Sequence, residues 1–191
     1  MNLSLIAKPA ILPDIQKQCQ ELGFDMASDS YTGSLLRSLV ASKPDSRFLE
    51  LGTGIGASLC WMLDGMSTDS KLISIDNDPE LTDTARSFFG QDSRLSLLCE
   101  DGEKWIISYQ DDPFDLIFAD AWPGKYSCLD ETLNLLTTGG FYVIDDMLHQ
   151  ANWPAGHQKK VASLLDYLSH RNDLVITMME WSTGVVVCTK K

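Results

Sequence analysis

The stretch from Phe48 to Ser58, FLELGTGIGAS, is an apolar run that enters a loop of three glycines and leaves it as a helical pattern. Gly52, Gly54 and Gly56 are spaced to let the backbone turn tightly against a ligand. With Ala57 they also satisfy the dinucleotide-binding pattern G-x-G-x-x-G/A. The stretch therefore predicts a strand, a ligand-binding loop and a helix, and leaves open whether the ligand is a pyrophosphate.

Short apolar runs alternate with helical patterns after about residue 45, which predicts an α/β fold with a doubly wound, mostly parallel sheet. The predicted strands are Arg47–Leu51, Lys71–Ile75, Leu95–Cys99, Asp115–Ala119, Phe141–Ile144, Leu174–Glu180 and Val185–Thr189. The predicted helices are Pro13–Leu22, Tyr31–Ser42, Ile55–Met66, Pro79–Phe89, Gly102–Tyr109, Tyr126–Leu136 and Gln158–His170. The last two strands are joined by WSTG as a hairpin, so the seven-stranded sheet should have an antiparallel terminal strand.

The bulk composition narrows the classes of partner. The net charge of the 191-residue chain is −12, and Lys and Arg never exceed two in a row, which argues against nucleic acid. No apolar run has the length of a membrane span or a signal-peptide core. The five cysteines form no C-x-x-C pair, and Cys60, Cys99 and Cys188 lie in apolar runs, which predicts buried free thiols and a cytoplasmic location.

Five predicted parallel strands end in acidic residues. In an open α/β sheet, ligands bind outside the carboxyl ends of the strands, so these side chains should share one rim. An acid after a strand can also cap the following helix, but five caps are less probable than a site. The acidic residues are Glu50, Asp76, Glu100, Asp101, Asp120, Asp145 and Asp146.

Two of these carboxylates indicate the ligand. Asp76 follows Gly52 by 24 positions, which suits a carboxylate that binds ribose hydroxyls. Glu50, beside the loop, would repel a pyrophosphate and attract an ammonium or sulfonium group. S-adenosylmethionine carries both cations, whereas Glu50 and the terminal hairpin disfavour an NAD-dependent oxidoreductase.

The motif E-L-G-T-G-I-G resembles the glycine motif of class I S-adenosylmethionine-dependent methyltransferases, whose Rossmann-like fold also has an antiparallel seventh strand. The resemblance covers roughly residues 31 to 191. It implies that the glycine loop contacts the methionine part of the donor, and that Glu50 orients the loop or meets the amino group through water. Asp76 would bind the ribose, Asp101 the adenine amino group, and Ser58 the donor carboxylate, unless Ser58 is a simple first-turn serine. The implied donor-binding residues are Glu50, Gly52, Gly54, Gly56, Ser58, Asp76, Asp101 and Asp120.

Three further segments, SYTGSLLRSLV, ADAWPGKY and VIDDML, are similar to motifs of the catechol and caffeoyl-CoA type O-methyltransferases. In that family, the positions matching Asp120, Asp145 and Asp146 bind a divalent metal, so the resemblance implies Mg²⁺ or another divalent cation here. Asp146 stands where the family has Asn, and Pro123 stands where the family has its catalytic lysine.

These departures leave the chemical base open. The implied catalytic group is Asp120 with Lys125, which could replace the missing lysine, and His149; His157 is the other loop histidine considered. A metal would lower the pKa of an acceptor hydroxyl, and without one Lys125 or His149 is the leading base. Trp122 and Trp153 follow the fourth and fifth strands and could wall an aromatic substrate pocket.

The sequence therefore predicts one domain over residues 1–191, with a helical cover at 1–45 and a donor-binding core at 46–191. Its predicted function is methyl transfer to a small-molecule acceptor, at a hydroxyl oxygen, with no nucleic-acid or membrane partner. The alternatives are a metal-independent N- or S-methyltransferase and a non-catalytic S-adenosylmethionine-binding module. Related enzymes are often dimers, so a homodimer is one candidate assembly.

Overall fold

The computed structural model describes residues 5–150 and 153–191, which form seven strands and seven helices within those ranges. The strands are β1 (Arg47–Leu51), β2 (Lys71–Asp76), β3 (Leu95–Cys99), β4 (Phe114–Ala119), β5 (Leu136–Ile144), β6 (Leu174–Met179) and β7 (Val185–Lys190). The helices are α1 (Leu12–Leu22), α2 (Ser30–Ala41), α3 (Ala57–Gly65), α4 (Pro79–Phe89), α5 (Gly102–Ser108), α6 (Leu129–Asn134) and α7 (His157–Ser169).

The strands form a single sheet in the order β3-β2-β1-β4-β5-β7-β6. β1 to β5 pair in parallel, and β7 lies antiparallel between β5 and β6. The chain order reverses between β1 and β4, so the carboxyl ends of these two central strands flank the crevice where α/β folds bind ligands. The predicted doubly wound sheet with its antiparallel terminal strand is confirmed.

Alternate residues of the central strands enter two separate cores. Phe48 and Phe118 face the layer of α1, α2 and α3, whereas Leu49 and Ile117 face the layer of α5, α6 and α7. This period of two is expected for a sheet that is covered on both faces. The two helices of the amino-terminal segment pack on α3, where Trp61 is buried at the centre.

Several element boundaries differ from the prediction. β5 begins at Leu136, and its register against β4 shifts between Phe114 and Leu116, which accommodates Gly139 at φ +78° inside the strand. α6 is shorter than predicted because residues 122–127 form turns and Cys128 has φ +52° just before Leu129. The glycines of the TTGG segment therefore mark an irregular strand rather than a loop.

The cysteine prediction is partly wrong. All five cysteines are free, and Cys60 and Cys188 are buried as predicted, but Cys99 is exposed because β3 is an edge strand of the sheet. Among residues 5–150 and 153–191, no helix combines the length and the apolar character that a membrane crossing requires.

Candidate active site

The glycine loop leaves β1 at the centre of the sheet and enters α3. Gly52, Gly54 and Gly56 have φ values of +100°, +52° and +98°, in the left-handed region that favours glycine. A Cβ on Gly52 would lie 2.9 Å from the backbone oxygen of Asp120, and one on Gly54 would lie 3.0 Å from the Phe24 ring. The loop therefore needs glycine both for its backbone angles and for the close approach of its neighbours.

Glu50 lies beneath this loop and is fully buried. The hydroxyls of Ser58 and Ser74 donate to its two carboxyl oxygens, each at 2.5 Å, and the Thr53 hydroxyl lies 2.6 Å from that of Ser74. The pKa of Glu50 is raised to about 7, mainly because the carboxyl group is buried. The hydrogen bonds from the two serines oppose this rise, and the charge of nearby Asp76 adds to it. Glu50 thus ties the loop to β2 and α3.

This network affects the roles that the sequence predicted for Glu50 and Ser58. Glu50 does not line the cavity beside the loop, so of the two predicted roles the structure brings it only to the loop. Ser58 lines that cavity, but its hydroxyl donates to Glu50 and is not free to donate to a donor carboxylate. The first turn of α3 still leaves backbone N–H groups at this place.

Asp76 links the loop to the end of β2. Its carboxylate accepts the N–H of Gly54 at 2.8 Å and the N–H of Asp78 at 3.0 Å. Asp101, after β3, is exposed and accepts the Lys104 N–H at 3.0 Å as the cap of α5. Both carboxylates are fixed by backbone N–H groups and keep lone pairs for a ligand.

Three adjoining cavities form one groove along the carboxyl ends of the strands. Asp76, Asp101 and Trp122 line a cavity of about 400 Å³. The glycine loop and Asp76 line a second of about 300 Å³. Asp120 lines this second cavity and a third of about 370 Å³, and Ala121 lines all three. We call the first two cavities the donor half of the groove and the third its acceptor half, after the two substrates that the sequence predicts for them.

The acceptor half brings together residues from separate parts of the chain. Trp122 and Trp153, which were predicted to wall a pocket, both line it. The segment between α1 and α2 closes it from above, where the Ser28 hydroxyl donates to Asp120 at 3.0 Å. The acceptor half is therefore lined by aromatic rings and by acidic groups.

The pKa values of two of the acidic groups, Asp120 and Asp145, are raised. Burial, and then the charge of Asp145, raise the pKa of Asp120 well above its ordinary value. Burial likewise raises the pKa of Asp145, although its carboxylate accepts the Thr183 hydroxyl at 2.6 Å and the Asp146 N–H at 2.8 Å. Like charges this near one another disfavour ionisation of both groups.

Lys125 supplies positive charge to this cluster. Its side chain is 4% exposed, and Nζ donates to the backbone oxygen of Asp145 at 2.6 Å. The ammonium lowers the pKa of Asp120 against the effects of burial. Lys125 thus lines the acceptor half, a direction that Pro123 and Gly124 make unreadable from sequence.

The predicted metal group is not assembled. Within the described residues, no three His, Cys, Asp or Glu side chains are grouped so that they could hold a metal ion. Asp145 directs one carboxyl oxygen to Thr183 and the Asp146 N–H, and Asp146 has φ +58°. Lys125 Nζ lies beside this cluster and donates to the Asp145 backbone oxygen, and the metal site at Asp120, Asp145 and Asp146 stays a prediction.

The two loop histidines, His149 and His157, differ in exposure and in their position relative to the acceptor half. His149 is exposed, does not line the acceptor half, and lies 5.7 Å from the Trp153 ring centroid. His157 is 9% exposed and lines the acceptor half, with Nε2 at 3.2 Å from the Tyr126 hydroxyl. The structure therefore places His157, and not the predicted His149, among the residues that line the acceptor half; Gly156 caps α7 directly before His157.

Comparison with known proteins identifies the class. A profile of the O-methyltransferase family matches residues 5–191, and the chain belongs to this family. A curated relative from Mycobacterium leprae (strain TN), named as a candidate O-methyltransferase, is 31% identical over 144 residues, or 73% of this chain. The matched stretch spans 64% of that relative's length, and a Mycobacterium avium (strain 104) relative of similar name is 30% identical over the same spans.

Solved structures agree with the fold. An O-methyltransferase from Bacillus cereus, in complex with S-adenosylhomocysteine (SAH), superposes with a TM-score of 0.83 at 19% identity, covering 98% of this chain and 93% of that one. The O-methyltransferase TomG from Streptomyces achromogenes, in complex with S-adenosylmethionine, gives 0.82 at 21% identity, covering 98% and 92%. At these identities the likeness establishes the Rossmann-like methyltransferase fold.

Proposed function

We propose that this protein transfers the methyl group of S-adenosylmethionine to a hydroxyl oxygen of a small-molecule acceptor. The observation that carries the proposal is Asp120, whose side chain lies where the donor half and the acceptor half of the groove meet. Family membership supports it, as do the S-adenosylmethionine bound in one named structural neighbour and the SAH bound in the other.

The donor half suits S-adenosylmethionine, which supplies a methyl group on a positively charged sulfur. Asp76, fixed by the Gly54 N–H, would accept the ribose hydroxyls, and Asp101 would accept the adenine amino group. The glycine loop would let the methionine part approach the backbone, with Glu50 holding the loop from below. Several carboxylates and no cationic side chain line the donor half, which favours a cation over a pyrophosphate.

In the acceptor half, Lys125 is the group that can stabilise a developing negative charge on the acceptor oxygen. Its ammonium has three N–H donors, and one is bonded to the backbone oxygen of Asp145. A buried cation aimed at a developing oxyanion acts more strongly than the same cation in water. Asp120 would contact both substrates and align oxygen, methyl and sulfur.

We assign no step to a metal, because no three acidic, histidine or cysteine side chains of the described residues form a ligand group and Lys125 can supply the positive charge. The acceptor is therefore expected to be methylated at the same rate with or without a chelator. The alternative is a non-catalytic donor-binding module, and it predicts donor binding without turnover. A homodimer and the absence of nucleic-acid partners stay predictions, and the five free thiols favour a reducing, cytoplasmic location.

Calorimetry with SAH and with NAD, followed by turnover on a panel of phenols and catechols with and without EDTA, tests the proposal. We expect SAH affinity in the micromolar range, no response to NAD, and EDTA-resistant methylation of at least one acceptor. Tight NAD binding would overturn the donor, and turnover abolished by EDTA and restored by Mg²⁺ would overturn the assignment of Lys125.

A further inference from the structure

We propose that His157 is the proton acceptor of the reaction and that Tyr126 carries the acceptor's hydroxyl proton to it. This inference rests on the proposed function, and it replaces the base that the sequence suggested. It is carried by the Tyr126 hydroxyl, which lies 3.2 Å from His157 Nε2 in the cavity that also holds Asp120.

The pair is held rigidly. The His157 ring lies 4.4 Å from the Trp153 ring and 6.4 Å from the Trp122 ring, measured between centroids. The Tyr126 ring packs edge-on against His157 at 5.3 Å and against Trp122 at 6.0 Å. Aromatic contacts on both sides fix the direction of the hydrogen bond, which a proton relay requires.

The hydrogen-bonding capacity of the pair is not used up inside the protein. The buried Nδ1 of His157 has no hydrogen-bond partner among the described residues. When Tyr126 donates its proton to Nε2, its oxygen keeps lone pairs that can accept a hydrogen bond from a hydroxyl in the cavity. A buried, unpartnered imidazole nitrogen is uncommon in a ring that serves only as packing.

The other candidate groups are less suited to take the proton. Lys125 Nζ already donates a hydrogen bond to the backbone oxygen of Asp145. Asp120 accepts a hydrogen bond from Ser28 and lies between the two substrates. His149 is outside the cavity. His157 is the histidine that lines the acceptor half.

The charges that face His157 come from four places. Lys125 and Tyr126 lie on the segment after β4, and Asp146 lies after β5. Lys160 lies on α7 itself. On the other side of the cavity, the segment between α1 and α2 contributes Asp25 and Asp29. Burial has the largest effect and lowers the pKa of His157. The positive charges of Lys125 and Lys160 lower this pKa further, whereas the negative charge of Asp146 raises it. The ring is therefore neutral near pH 7 and able to accept a proton.

The acceptor oxygen forms a bond to the methyl carbon while the carbon–sulfur bond breaks, and its electron pair returns to sulfur, which becomes a neutral thioether. The acceptor's hydroxyl proton passes to the Tyr126 oxygen as the Tyr126 proton passes to His157 Nε2. The products are the methyl ether, SAH and a His157 imidazolium that releases its proton to solvent.

The test compares His157→Gln and Tyr126→Phe with His170→Gln, a control at the exposed end of α7. Methyl transfer to the panel of phenols and catechols is measured from pH 5.5 to 9.5, together with SAH affinity. For His157→Gln we expect kcat to fall at least ~100-fold at pH 7.5, as for loss of a general base, with SAH affinity within about twofold of the wild type. The acidic limb of the kcat profile should disappear in His157→Gln and Tyr126→Phe and stay in His170→Gln.

A purely structural clamp between α7 and the segment after β4 would change melting temperature or KM and leave the shape of the kcat profile intact. The proposal is overturned if either variant keeps the wild-type profile with kcat within about threefold of the wild type. NMR titration of the three imidazoles in the SAH-bound wild type provides a check that needs no variant in the cavity. A His157 pKa at or above the ordinary value would also overturn the proposal, whereas failure of SAH to bind at all would refute the proposed donor instead.

Discussion

In the donor half of the groove, the main polar groups directly follow β1, β2 and β3, whereas the acceptor half draws on four separated segments. The glycine loop follows β1, Asp76 ends β2, and Asp101 comes after β3. The acceptor half combines the segment between α1 and α2, the segment after β4, the segment from the end of β5 to the start of α7, and Thr183 before β7. The first half is built by local geometry and the second by packing.

This difference has a physical consequence for what each half can tolerate. The donor half depends on backbone positions with positive φ and on hydrogen bonds between backbone N–H groups and carboxylates, which admit few substitutions. The acceptor half depends on side chains such as Trp153 and Tyr126, which can change without altering the fold. Variants in the two halves should therefore separate donor binding from methyl transfer.

The largest effect is expected for Gly54→Val. Valine at φ +52° meets the left-handed penalty and the Phe24 ring at 3.0 Å, which together cost roughly 2–5 kcal/mol and should abolish measurable SAH binding. Gly139→Val is the matched control, since Gly139 has φ +78° and only Lys43 Nζ nearby, at 4.0 Å. Calorimetry should show normal SAH affinity in the control; retained affinity in Gly54→Val would mean that the loop does not hold the donor.

Glu50→Gln should change how stability depends on pH. A carboxyl group whose pKa rises from 4.5 to about 7 on folding binds more protons folded than unfolded between those values, so stability falls as pH rises through that window. The loss amounts to on the order of 3 kcal/mol by pH 8. Urea unfolding at pH 4.5 and 8 should show a smaller decline in Glu50→Gln than in the wild type, because the raised pKa values of Asp120 and Asp145 act in both proteins. Equal declines in the two proteins would contradict this account of Glu50.

Lys125→Met should show most clearly that methyl transfer and donor binding depend on different halves of the groove. Removing the buried ammonium leaves Asp120 and Asp145 without the neighbouring positive charge. The fall in kcat/KM should correspond to a loss of about 2–3 kcal/mol of transition-state stabilisation, with SAH affinity nearly unchanged. Lys125→Arg keeps the charge and should restore part of the rate. A loss of SAH affinity as large as the loss of rate would show that the halves are not separable at this residue.

The smallest effect is expected for Asp76→Asn. The amide keeps one oxygen to accept the Gly54 N–H but loses charge and one acceptor, so SAH binding should weaken by about 1–2 kcal/mol. Turnover at saturating donor should change little. A drop in kcat with normal SAH affinity would place Asp76 in the chemistry rather than in donor binding.

The acceptor half also shows why the arrangement of particular side chains could not be predicted from sequence. His149 and His157 lie in one loop-like segment, and only the turn into α7 decides which ring enters the cavity. Asp120 and Asp145 match the metal positions of the resembling family, whereas Asp146 replaces its Asn. Their arrangement depends on the hydrogen bonds from Ser28 and Thr183, which are distant in sequence.

The sequence by itself determined the α/β order, the strands that end in carboxylates, and the glycine loop, because periodicity, strand ends and positive-φ glycines are local properties of the chain. The tertiary structure decided that Glu50 lies beneath the loop rather than facing the donor, since Ser58 and Ser74 come to it from α3 and β2. It also decided that Lys125 supplies the charge in the acidic cluster. Such contacts join residues that are far apart along the chain, and they form only when the two helical layers pack on the sheet.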